Sequence, residues 1–126
     1  MKFVCLGFYD ERQFATMGEA EQQAMIEKCI AFDRELSEKG HFAGGMALQG
    51  ANTATTLRWQ DGKASQTDGP FTETKEILGG VLILEAKDKA EALSLMSRHP
   101  GIRIGPFEVR PMDEDFMAQH PVLKDQ

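Results

Sequence analysis

Between Met25 and Leu36 the chain repeats apolar residues at helical spacing. Met25, Cys29, Phe32 and Leu36 fall at i, i+4, i+7 and i+11, and Ile26 and Ile30 widen the stripe. Glu21, Gln22, Glu27, Lys28, Glu35 and Glu38 occupy the opposite side. Residues so spaced share one face of an α-helix, and that face must pack against another element. Thr16 with Glu19 reads as a capping box at the start. Gly40 closes the helix, because glycine readily takes the positive φ of a C-terminal cap.

Strand patterns supply the surface for this helix. Lys2 to Tyr9 is apolar and partly aromatic, and Asp10 to Gly18 reads as a polar connection. His41 to Leu48 is a strand loosened by Gly44 and Gly45. Thr53 to Trp59 and Lys63 to Thr67 form a hairpin across Asp61-Gly62, a pair that tolerates positive φ. Val81-Leu82-Ile83-Leu84 is the most apolar run and reads as a central strand. Asp88 with Glu91 opens a short helix that ends before Pro100, and Ile102 to Pro111 is the last strand. The order β-α-β-(hairpin)-β-α-β predicts an α+β fold, a ferredoxin-like split βαβ with an inserted β-hairpin. Helices on one face leave the other face bare, so a homodimer packed sheet to sheet is expected.

Composition excludes several classes. A chain of 126 residues fits one domain. Its net charge of −6, with basic residues spread singly, argues against nucleic acid and against a membrane surface. No apolar run is long enough to span a bilayer. The N-terminus turns polar too soon for a signal peptide. Cys5 and Cys29 sit in apolar settings and read as buried thiols, which suits a cytoplasmic location. No metal-ligand spacing, phosphate loop or dinucleotide fingerprint is present, so neither metal nor cofactor is expected.

The segment from Asp68-Gly69-Pro70-Phe71 through Thr72-Glu73-Thr74-Lys75-Glu76 to Gly79-Gly80 resembles the signature of the DGPF branch of YCII-related proteins. Met1-Lys2-Phe3, Thr55-Thr56-Leu57-Arg58 and Phe107-Glu108-Val109-Arg110-Pro111 are similar to other parts of that family. The resemblance covers residues 1–112 and leaves 113–126 as a polar C-terminal tail. It implies a dimeric α+β barrel. It also implies a pocket between sheet and helices where a His and an Asp meet, at positions that fall near Cys29 and His99 in this chain, which departs from the family at both. A link to transcription through neighbouring alternative sigma factor genes belongs to the same resemblance.

His99 is the leading candidate for chemistry. It follows a helix, where the dipole favours imidazolium, and histidine titrates near neutral pH. Asp68 is either the cap of an Asx-turn or a base that orients His99. Thr72, Glu73 and Lys75 form either a solvated loop or a pocket rim. Arg58, Arg103 and Arg110 are read as strand arginines, which could clamp a carboxylate or make surface ion pairs. Tyr9 and Trp59 line a pocket or pack at an interface. Two readings stay open: a cofactor-independent enzyme doing acid–base chemistry, on a small molecule, an anion included, with His99 and Asp68 catalytic and Thr72, Glu73, Lys75, Arg58 and Tyr9 binding; or a non-catalytic small-molecule-binding or protein-interaction module linked to transcription.

Overall fold

Alternation along the first strand creates the buried side of the sheet. In β1 (Lys2–Tyr9) Phe3 and Cys5 are fully buried, while Val4 and Leu6 point the other way and stay half-exposed. The computed structural model describes residues 1–126. Four strands, β1, β2 (Phe42–Ala47), β5 (Ile77–Glu85) and β6 (Phe107–Pro111), form one antiparallel sheet in the order β2-β5-β1-β6. Phe3 stands opposite Leu84, and Cys5 opposite Leu82. All four are buried and give the sheet its apolar face. The run Val81–Leu84 lies between β1 and β2, as a strand apolar on both faces should.

The helices cover that face. Helix α2 (Glu19–Glu38) buries Phe32 and Leu36, and α3 (Lys89–Ser97) buries Ala92, Leu95 and Met96. Only the C-terminal half of the α2 stripe packs tightly. Ile26 and Ile30 remain 44% and 51% exposed. The stripe is therefore wider in sequence than in the core, and the N-terminal half of α2 stands off the sheet. With the hairpin β3 (Thr55–Gln60) and β4 (Lys63–Asp68) set aside, the strand order is that of a ferredoxin-like α+β fold. The hairpin is a separate two-stranded sheet. It turns at Asp61 and Gly62, whose φ values are 53° and 77°.

Three local expectations are corrected. Asp10 to Gly18 is not a plain connection. It holds α1 (Glu11–Thr16), capped by the Asp10 carboxylate, which accepts from the N–H groups of Arg12 and Gln13. Thr16 does not cap α2. Its hydroxyl donates to the Gln13 carbonyl, and Gly18 is the N-cap without a side-chain bond. The last strand starts at Phe107, because Pro100–Arg103 forms a 3-10 turn that removes Ile102 and Arg103 from it. The Asp88 and Glu91 box forms: Asp88 accepts from the Glu91 N–H, and Glu91 accepts from the Lys87 N–H. Past β6, α4 (Glu114–Gln119) forms under an Asp113 cap. No helix is long and apolar enough to cross a membrane.

Burial of Cys5 beneath the helices pushes its thiol up from 9.0 to about 11. Below pH 9 the thiol is protonated in both folded and unfolded chains. Between those two values only the unfolded chain releases the proton, so stability falls as pH rises. A difference of this size corresponds to about 3 kcal/mol. Denaturant unfolding measured from pH 8 to pH 11 is expected to show this loss. Cys5→Ala, though less stable throughout, is expected to show a flatter slope; an equal slope in both proteins counts against it.

Candidate active site

Where α2 stands away from the sheet, a cavity of about 530 Å³ opens, a volume suited to a small molecule. Its floor is a row across four strands. Ala47 pairs with Gly80, Gly80 with Gly7, and Gly7 with Phe107. Three of these four carry no more than a methyl group, so the floor is flat and Phe107 forms its edge. A Cβ on Gly7 would lie 3.0 Å from the Phe107 ring, so even alanine there presses on that wall. Ile26, Cys29 and Asp33 of α2 form the roof, and Tyr9, Phe14 and Phe42 close the sides.

His99 sits at the inner end. It follows α3 and caps the Pro100–Arg103 turn. The ring is 6% exposed. It lies edge-on to Phe32 and Phe107, with centroids 5.2 and 5.1 Å away. Nδ1 accepts the Gly101 N–H at 3.0 Å, and Nε2 lies 2.9 Å from Asp33 Oδ1. An Nδ1 lone pair that accepts an N–H cannot also carry a proton. The hydrogen-bond network therefore assigns the neutral tautomer, protonated on Nε2 and donating to Asp33. The expected charged imidazole at a helix end is replaced by a neutral ring built into the core.

Asp33 is the carboxylate that sequence reasoning missed. It shares the cavity with His99 and its side chain is 38% exposed. Oδ1 is held by the imidazole, and no donor of the protein reaches Oδ2. A signal for it was present: Asp33 lies four residues after Cys29, so it interrupts the apolar face instead of joining the polar one. Cys29 also lines the cavity. Burial first, and the Asp33 charge second, push its thiol up, so it is a neutral thiol near pH 7. Tyr9 also lies against the cavity. Its phenol is raised by burial and then by Glu11, which keeps it a hydrogen-bond donor.

The remaining expected residues lie elsewhere in the subunit. Asp68 ends β4 opposite Thr55 and is exposed. It is not the partner of His99, because Asp33 holds that place. Arg58 on β3 donates to the Phe71 carbonyl at 3.3 Å. Thr72, Glu73 and Lys75 are exposed in the segment before β5. None of these five lines the cavity. No lysine or arginine lines it either, so nothing there recognises an anionic substrate by charge. No group of three or more His, Cys, Asp or Glu side chains is placed to hold a metal ion.

A ferredoxin-like α+β domain with a cavity between its sheet and its long helix is the class defined by this geometry. The chain belongs to the YCII-related domain family, whose profile matches residues 1–114. It is 30% identical over 116 residues to an uncharacterised protein of Rhizobium meliloti (strain 1021), covering 89% of this chain and 92% of that one. Among solved structures it is similar to 5-chloro-2-hydroxyhydroquinone dehydrochlorinase (TftG) from Burkholderia phenoliruptrix AC1100, in complex with 2,5-dihydroxybenzoquinone. That match has a TM-score of 0.55 at 17% identity, covering 90% of this chain and 95% of the other. At that identity the likeness is one of fold.

The tautomer is directly measurable. Long-range ¹H–¹⁵N correlation at neutral pH is expected to show His99 Nδ1 as the unprotonated nitrogen and Nε2 as the protonated one. Asp33→Asn is expected to perturb the Nε2 signal first. A His99 ring with both nitrogens protonated at neutral pH would contradict the assigned network.

Proposed function

We propose that this protein is a cofactor-independent enzyme in which Asp33 is the general base and His99 its positioning residue. The proposed substrate is a small, flat, uncharged ring bearing hydroxyl or carbonyl groups. The observation that carries this reading is the free Oδ2 of Asp33 in an otherwise apolar cavity, with Oδ1 fixed by a buried imidazole. Oδ2 takes a proton from the substrate. The released electron pair then expels a leaving group, as in a lyase, or shifts a double bond whose far end takes the proton back from Asp33, as in an isomerase. The fixed Nε2–H donor keeps the carboxylate in one orientation throughout. Tyr9, which lines the cavity, supplies a donor to a ring oxygen, and the Gly7–Gly80 floor accepts a planar face. The fold neighbour is named for its action on a chlorinated hydroxyhydroquinone and is seen with a quinone, which agrees with a planar ring here.

A second reading, binding without catalysis, is favoured by the commitment of both His99 nitrogens to the protein. One series of measurements separates the two. A panel of hydroxylated aromatic and quinoid rings, including 2,5-dihydroxybenzoquinone, is titrated by calorimetry, and turnover is followed by ring absorbance. Asp33→Asn is expected to keep binding within a few-fold and to lose turnover by about 10²–10⁴. Binding without turnover in the unaltered protein supports the second reading. Failure of every ring to bind rejects the substrate class.

The same reading includes a homodimer in the cytoplasm. The sheet face away from α2 and α3 carries Val4, Leu6, Val81 and Ile83. The β3–β4 hairpin holds Leu57 and Trp59 at 67% and 78% exposure. An isolated two-stranded sheet is marginal in water, and a second copy would cover such surfaces. Sedimentation equilibrium is expected to return the mass of two chains, and Ile83→Lys to shift it toward one. A monomer at all concentrations rejects the dimer.

A further inference from the structure

On the far side of His99 lies a second cleft, of about 600 Å³, between α2, the end of α3 and the Pro100–Arg103 turn. Its lining includes Lys28 of α2, Arg98 at the end of α3 and Arg103 of the turn, and it contains no aspartate or glutamate. All three basic side chains are exposed. None lies within ion-pairing distance of a carboxylate. The Arg98 charge acts on Glu35, whose carboxyl is held low first by its hydrogen bond to Lys39 and then by the Lys39 charge, with Arg98 a minor contributor. Glu35 is thus already paired with Lys39, at 2.9 Å. The Arg98 guanidinium sits 5.5 Å from the centre of the Phe32 ring, which limits its range of orientations.

A cation at the end of α3 is expected from the helix dipole alone, which accounts for Arg98. It does not account for Lys28 and Arg103, brought to the same cleft from two other elements of a chain whose net charge is −6. Like charges gathered without partners repel, weakly where they are exposed to solvent as here. An anion held in the cleft that all three line would offset this repulsion. Two guanidiniums and one ammonium suit a tetrahedral oxyanion with two negative charges.

We propose that this cleft is a phosphate site, for free phosphate or a phosphate monoester head group. It is separate from the uncharged-ring cavity and divided from it by the His99 ring. The proposal does not rest on the reading of Asp33 as a base, and either can fail alone.

The test titrates inorganic phosphate into the full chain at constant ionic strength, followed by ¹H–¹⁵N amide shifts. Saturable shifts are expected at Lys28, Ser97, Arg98 and Arg103, and chloride at matched ionic strength should give none. Each guanidinium removed is expected to weaken binding about tenfold. Arg98→Gln/Arg103→Gln therefore loses about a hundredfold, and Lys28→Gln serves as an independent third variant. Glycerol phosphate, run in parallel, tells an ester head group from the free anion, and saturable binding of either supports the site. Linear shifts, equal shifts in chloride, or full affinity in the double variant would overturn it.

Discussion

The His99 ring is the joint on which this architecture turns. It bridges the 3-10 turn, through Gly101, and α2, through Asp33, and it makes T-shaped contacts with Phe32 and Phe107. A buried polar group is stable only when its donors and acceptors are met, and each lost partner costs about 1–3 kcal/mol. Here both nitrogens are met by the protein. The ring therefore completes the core at the end where α2 leaves the sheet. Without it, Asp33 would have no reason to lie inward, and the cavity would have no fixed carboxylate.

The cavity follows from a second constraint, the absence of side chains along one row of the sheet. Where Phe3, Cys5, Leu82 and Leu84 rise from the strands, α2 and α3 pack down and close the core. Where Ala47, Gly80 and Gly7 replace them, nothing fills the space under α2. Packing and vacancy are thus two ends of the same sheet face, set by residue size along β1 and β5. The position of Asp33 on α2 decides which end it serves. It lies between Phe32 and Leu36, the two α2 side chains that reach the packed region, and turns toward the cavity beside them.

Much of the fold was legible because the patterns that carry it are local. The Met25–Leu36 stripe, the Asp61-Gly62 turn, the Val81–Leu84 strand and the Asp88 cap each depend on residues within a few positions of one another. The strand order then followed from the element order. The site was less legible, because it depends on contacts across long separations. His99 and Asp33 are 66 positions apart, and no spacing rule joins them. Asp68 was the more prominent aspartate, within a dense polar motif, but its strand belongs to the separate hairpin sheet. Ile26 and Ile30 read as core by period alone. The period says which way a side chain points and cannot say whether the sheet opposite offers a leucine or a glycine.

Charge is sorted by the same geometry. Inside the cavity the only formal charge is the Asp33 carboxylate, beside a neutral imidazole, raised thiols and a protonated phenol. In such surroundings an anionic ligand would meet a like charge with no cation to offset it. An uncharged ring with an acidic hydrogen meets an acceptor and an apolar wall. The cations stand on the other side of His99, where the lining holds Lys28, Arg98 and Arg103 and no acid. The imidazole thus divides a basic cleft from an acidic cavity at the distance of one ring. A carboxylate that must accept a proton works best away from cations, which would hold it ionised and weaken it as a base. On the proposed reading of Asp33 as a base, the placement of Lys28, Arg98 and Arg103 behind His99 keeps these cations out of its cavity.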